Sequence, residues 1–248
     1  MKKLFITSSP FIQGQCDITE LNSQAQLLRE AVPQDAAALF IPANPDDRFN
    51  TAGLTHAYRA AFERIGLTFS RFAYLDHSNA ESAGRLVTKS QFIVLGGGHL
   101  PTQMRFFEEI NLREHIAKMD GVVLGISAGA MNLAVEVYAT PEEPGEGRNT
   151  NFRRFIPGLG LTRRQIVPHY NTYRNNYVDD LRLFEDIIFP DSEGRNAYDG
   201  SPRKFYILPD NSFIYDDGTT ETLYGEAWIC RGGRMRRIND NGKTLVLE

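Results

Sequence analysis

The stretch VVLGISAGAMNLA, residues 122–134, decides the fold. Its first five residues form an apolar run, the pattern of a strand covered on both faces. From Ala128 onward the small residues read as the start of a helix over 128–135. Between the two lies Gly125-Ile126-Ser127-Ala128-Gly129, a G-x-S-x-G pentapeptide in the strand–turn–helix setting that gives the motif its meaning. Such a turn lifts the serine hydroxyl above the carboxyl edge of a sheet. It also places the Ala128 N–H at a helix N-terminus, where a developing oxyanion is stabilised. Ser127 is therefore the candidate nucleophile.

Upstream, β-rich runs alternate with amphipathic helical patterns. Strands are expected over 4–8, 37–41, 69–74, 91–95 and 122–126, with helices over 20–32, 51–65 and 103–119. This alternation predicts an α/β fold: an open, mostly parallel, flavodoxin-like sheet with helices on both faces. Downstream, residues 140–151 (TPEEPGEGRNTN) read as an exposed loop, and 165–167 as a short strand. A helix is expected over 177–188. Short strands follow over 205–208, 212–215, 222–224, 227–230 and 244–247, separated by turns such as Pro209-Asp210-Asn211, and form C-terminal β-hairpins. No linker divides the chain, so residues 1–248 are expected to form one domain whose last strands extend or flank the same sheet.

Composition excludes several classes of function. A net charge of −4 offers no electrostatic reason to bind nucleic acid or an anionic membrane. The apolar part of the N-terminal MKKLFITSSPF is too short for an export signal, and no run approaches the roughly twenty apolar residues of a membrane span. Two cysteines, Cys16 and Cys230, cannot build a disulfide framework or a zinc knuckle; they point to reduced thiols and a cytoplasmic location. Acidic residues and histidines show no metal-ligand spacing, so neither metal nor cofactor is expected.

A serine needs a base, and the base needs an acid to orient it. Among five histidines, His169 in IVPHYN closes a short strand and opens a loop, which suits delivery to the sheet edge; His99 is the second choice. The loop before His169 offers Glu136, Glu142, Glu143 and Glu146 as the acid. Gly96-Gly97-Gly98-His99 follows the strand before the serine, and Gly98 is placed to give a second oxyanion N–H beside that of Ala128. The roughly forty residues from Ser127 to His169 are fewer than an α/β-hydrolase uses.

GGGH after one strand, GISAGAMNLA after the next, PHYN some forty residues on and a late LPDNSFIYDDG together resemble the peptidase E/cyanophycinase family of serine peptidases. The resemblance extends over nearly the whole chain. It implies a class I glutamine amidotransferase-like fold in which serine replaces the elbow cysteine. It further implies Ser127 as nucleophile, His169 as general base, Glu143 as the acid, and Gly98 and Ala128 as oxyanion donors. His99, where the family often has asparagine, and Arg174, downstream of the histidine, are the expected substrate contacts. The substrate implied is a small peptide, a dipeptide or isopeptide-like amide, cleaved through an acyl-enzyme by a monomer or homodimer. The same groups would serve an esterase or amidase acting on a non-peptide acyl substrate, and a non-catalytic amidotransferase-like protein is the remaining alternative.

Overall fold

Successive residues of the apolar runs point to opposite faces of one sheet, and each face has its own core. The computed structural model describes all 248 residues. The parallel strands are β1 (Lys3–Thr7), β2 (Ala37–Ile41), β3 (Arg71–Tyr74), β4 (Phe92–Leu95) and β5 (Val122–Ile126). Phe92 and Val94 join Phe5, Phe40 and Leu124 in one core, while Ile93 and Leu95 join Leu4, Leu39 and Val123 in the other. This period of two, with both faces covered, is why the strands read as continuously hydrophobic.

Helices α1 (Gln24–Ala31) and α2 (Arg48–Arg64) cover the first face through Leu28, Ala61 and Phe62. Helices α3 (Ala83–Thr88), α4 (Leu100–Glu109) and α5 (Leu112–Lys118) cover the second through Leu86, Phe107 and Ile116. The mixed α/β architecture is the one the alternation predicts. In the long helix expected over 103–119, however, the chain breaks at Asn111, whose left-handed backbone (φ 50°) precedes α5. Asparagine tolerates that conformation better than most residues. The helix expected over 128–135 is a single turn, α6 (Ala128–Met131).

Beyond α6 lie β6 (Glu136–Tyr138), β7 (Phe155–Pro157) and β8 (Gln165–Val167), then the short α7 (Tyr170–Tyr173). Residues 177–188 are not one helix. They form a tight hairpin, β9 (Tyr177–Val178) and β10 (Leu181–Arg182), followed by a π-helical turn at Leu183–Ile188. Asp179 and Asp180, at φ 53° and 64°, make the turn, the geometry in which Asp, Asn and Gly are favoured. The apolar spacing of 183–188 mimicked a longer helix, and the Asp-Asp turn interrupts it.

The remaining strands are β11 (Phe205–Ile207), β12 (Phe213–Asp216), β13 (Glu221–Tyr224), β14 (Ala227–Arg231), β15 (Arg234–Asn239) and β16 (Thr244–Val246). They divide between two sheets. β12, β13 and β16 extend the main sheet in the order β16-β13-β12-β1-β5-β4-β2-β3, whereas β15-β14-β11-β8 is a separate four-stranded sheet. The expectation that all late strands adjoin the main sheet therefore holds for three of them. Ile166 and Tyr206 of the second sheet pack into the same core cluster as Leu4 and Leu39 of the first. No helix is long and apolar enough to cross a membrane, and Cys16 and Cys230 are unpaired.

Candidate active site

Parallel strands end at one edge, so the segments after β1, β2, β4 and β5 meet there: Ser8, Ala43, Gly96–Gly98 and Ser127. Ser127 adopts φ 52°, ψ −116°, a region that costs a non-glycine residue on the order of 1–3 kcal/mol. Its surroundings hold it there. The Ser127 N–H donates to Thr7 O at 2.9 Å, and its carbonyl accepts from Ala130 and Met131 at 2.9 and 3.0 Å. The flanking glycines are required by close approach: a Cβ on Gly125 would lie 2.5 Å from Ala130 Cα, and one on Gly129 would collide with the Leu95 carbonyl. The G-x-S-x-G pattern thus has a steric cause at both ends.

His169 arrives from the second sheet. β8 and β11 are parallel neighbours, with Val167 opposite Ile207; Pro168 ends β8 directly, while Leu208 still donates to Val167 O before Pro209 removes the next N–H. The residue after Pro168 is His169 and the residue after Pro209 is Asp210, so the pairing sets the two side by side. His169 Nε2 lies 2.8 Å from Ser127 Oγ, and His169 Nδ1 lies 2.7 Å from Asp210 Oδ1. An ionised carboxylate only accepts, so Nδ1 carries the proton and the Nε2 lone pair faces the serine hydroxyl. His169 is itself left-handed, at φ 56° and ψ 36°. Its N–H donates to Ser8 Oγ at 2.8 Å, and Ser8 Oγ donates to the same Asp210 Oδ1 at 2.8 Å. Partial burial would raise the Asp210 carboxyl, but the His169 and Ser8 hydrogen bonds and the imidazole's charge outweigh it and hold it below its ordinary range.

The structure thus brings Ser127 and His169 together but sets Asp210, not Glu143, against the imidazole. Glu143 stays on the 140–147 loop, where it lines a cavity. That loop is fastened by one carboxylate of its own and one from the β9–β10 turn. Glu146 accepts the N–H groups of Glu142 and Glu143 at 2.9 and 3.0 Å, and Asp179 accepts those of Gly145 and Gly147 at 2.7 and 2.8 Å. Glu136 is remote, buried against the Ala197 N–H and Arg203. His99 does not meet the serine. It bonds Thr102 through Nδ1 at 2.8 Å and Glu146 through Nε2 at 3.0 Å, tying the glycine loop to the 140–147 loop.

Gly97 packs directly on Ser127; a Cβ there would lie 3.2 Å from the serine Cβ. Gly98 follows at φ 143°, a conformation open chiefly to glycine. Ala128 is the first residue of α6, whose leading N–H groups have no partner inside the helix. Two cavities flank this centre. One of about 450 Å³ lies beyond Gly98 and His99, and one of about 560 Å³ opens beside Asp210 and Asn171; Leu54 and Tyr58 of α2 border both. Arg174 is exposed after α7 and lines neither cavity.

Asp210 and Ser8 are the residues that the sequence reading missed. The signal for Asp210 was present: QIV-Pro-His and FYIL-Pro-Asp repeat one strand–proline–polar pattern.

Among solved structures, a peptidase from an acI-B1 Actinobacterium superposes with a TM-score of 0.69 at 16% identity, over 100% of this chain and 97% of its own. A candidate peptidase E protein from Listeria monocytogenes EGD-e superposes with a TM-score of 0.58 at 18% identity, over 96% and 100%. At these identities the likeness is one of fold. No curated protein matches the chain. The model of peptidase family S51 matches residues 4–188, which take in both the Ser127 elbow and His169. The chain belongs to peptidase family S51 and is a serine peptidase.

Proposed function

We propose that the chain hydrolyses amide bonds of small peptides through a Ser127–His169–Asp210 triad and an acyl-enzyme. The observation that carries this reading is the unbroken relay of 2.8 and 2.7 Å contacts from the serine hydroxyl to Asp210. Ser127 Oγ attacks the carbonyl carbon as His169 Nε2 takes its proton. The oxyanion forms against the N–H groups of Gly98 and Ala128. Collapse of the tetrahedral species breaks the C–N bond, and His169 returns the proton to the leaving amine. Water, activated by the same imidazole, then releases the acid and restores Ser127. The two cavities give room for a residue on either side of the scissile bond.

Labelling by a fluorophosphonate, followed by peptide mapping, should locate the adduct on Ser127, and Ser127→Ala should lose both adduct and turnover. Asp210→Asn should lower kcat by about 10³- to 10⁴-fold, because an amide at that place favours the wrong imidazole tautomer. A loss of that size in Glu143→Gln, with Asp210→Asn active, would put the acid on the 140–147 loop instead.

A further inference from the structure

The direction of proton transfer assigns a side to each cavity. His169 hands its proton to the departing amine, so the leaving group lies on the imidazole side, where the Asp210 cavity opens. The acyl carbonyl oxygen lies against Gly98 and Ala128; with the leaving group on the imidazole side, the cavity beyond Gly98 is the space left for the acyl residue's side chain.

The walls of that cavity are Phe40, Leu54 and Tyr58, with the amides of Asn44 and Asn50 beside them and the Glu143 carboxylate at its edge. No lysine or arginine lines either cavity, and His99, which lines the acyl one, has both ring nitrogens engaged by Thr102 and Glu146. Tyr58 stands where the two spaces meet, its ring packed on Phe11 at 5.0 Å and against Phe40 at 5.1 Å. Burial, and then the neighbouring Cys16 thiol, push its phenol up to about 12, so it stays a neutral donor at physiological pH.

We propose that this cavity selects an uncharged acyl residue, polar or aromatic, and rejects an aspartyl or glutamyl one; the proposal rests on the Ser127 chemistry above. A carboxylate seated there would give up water with no lysine or arginine to replace it, and would face Glu143 as a like charge. Asparagine has the same shape as aspartate without the charge. Its amide can meet Asn44, Asn50 and Tyr58, each of which both donates and accepts. The pair Asn/Asp therefore isolates the charge from the fit.

The test is the ratio of kcat/KM for Asn-Ala-amide and Asp-Ala-amide, with Leu-Ala-amide and Tyr-Ala-amide alongside and Ser127→Ala as control. Asn should exceed Asp by about 100-fold or more. Glu143→Lys should narrow the gap to within about tenfold, chiefly by lowering KM for the aspartyl substrate. Equal or faster Ser127-dependent cleavage of the aspartyl peptide would overturn the proposal and leave the serine chemistry intact. So would fluorophosphonate labelling of Ser127 with no turnover of any uncharged substrate. Absence of both labelling and turnover would fell the parent reading instead.

Discussion

Ser8 is fully buried at the end of β1, and its hydroxyl touches both ends of the hydrogen bond that orients the imidazole. It accepts from the His169 N–H and donates to Asp210 Oδ1, the oxygen that also accepts from the His169 Nδ1–H. Ser8→Ala removes a donor from the carboxylate and an acceptor from a strained backbone. At roughly 1 kcal/mol for a neutral bond and 1.5–3 for one to a charge, kcat/KM should fall by about 10- to 100-fold. With one donor fewer, the carboxylate holds more charge against the imidazole, so the acid limb of the pH–kcat/KM profile should move to higher pH. Ser8→Thr, which keeps the hydroxyl, should restore the profile. A profile unmoved in Ser8→Ala would show that Ser8 serves packing alone. At this scale Ser127 was legible because its causes are local: glycines at two crowded positions and a strand before a helix. His169 was legible from one strand and its proline. Asp210 was not, since its role comes from the pairing of β8 with β11, which lie about forty residues apart in the chain.

Elements decide where the acidic loop sits. The hairpin β9–β10 places Asp179 in a left-handed turn, from which its carboxylate gathers the N–H groups of Gly145, Gly147 and Arg148. Those hydrogen bonds hold the carboxyl below its ordinary range, the largest contribution coming from Gly145. Asp179→Ala leaves three amides to water, so hydrogen exchange at residues 145–148 should quicken by about tenfold or more while the core strands stay protected. KM should rise more than kcat falls, because Ser127, His169 and Asp210 sit on other elements. Unchanged exchange would mean that Glu146 and His99 alone hold the loop. The hairpin was hidden in the sequence by the apolar spacing of 183–188, which suits a helix as well as the π-helical turn observed. In contrast, the five parallel strands were legible. Burial on both faces leaves their composition no freedom; β1 and β4 differ from expectation by one residue, and β3 starts two residues later.

At the scale of the whole molecule, charge in the cleft links stability to pH, and two carboxyls act with opposite sign. Asp210 titrates below its ordinary range in the folded chain, so its contribution is present above that range and is lost as pH falls through the lowered value. Glu142 is the reverse. Loss of water around it pushes it from 4.5 to about 7, against the pull of His169 and His99 and with the help of Glu146 and Glu143. Between those two values the folded chain binds more protons than the unfolded one, so this group makes stability decline as pH rises. Glu142→Gln removes the ionisation but keeps the size. The Tm difference between Glu142→Gln and wild type should be near zero at pH 4, grow in favour of glutamine up to pH 7, and level off above pH 8. Glu142 is exposed at its surface, which limits the size of the gain but not its direction. A difference that is flat with pH, or that favours glutamate at pH 8, would mean that the cleft does not crowd this carboxyl. A rising difference would mean that the folded chain keeps a carboxyl within reach of the His169 and His99 charges at a cost to stability, as binding sites do when a local rule is broken for function.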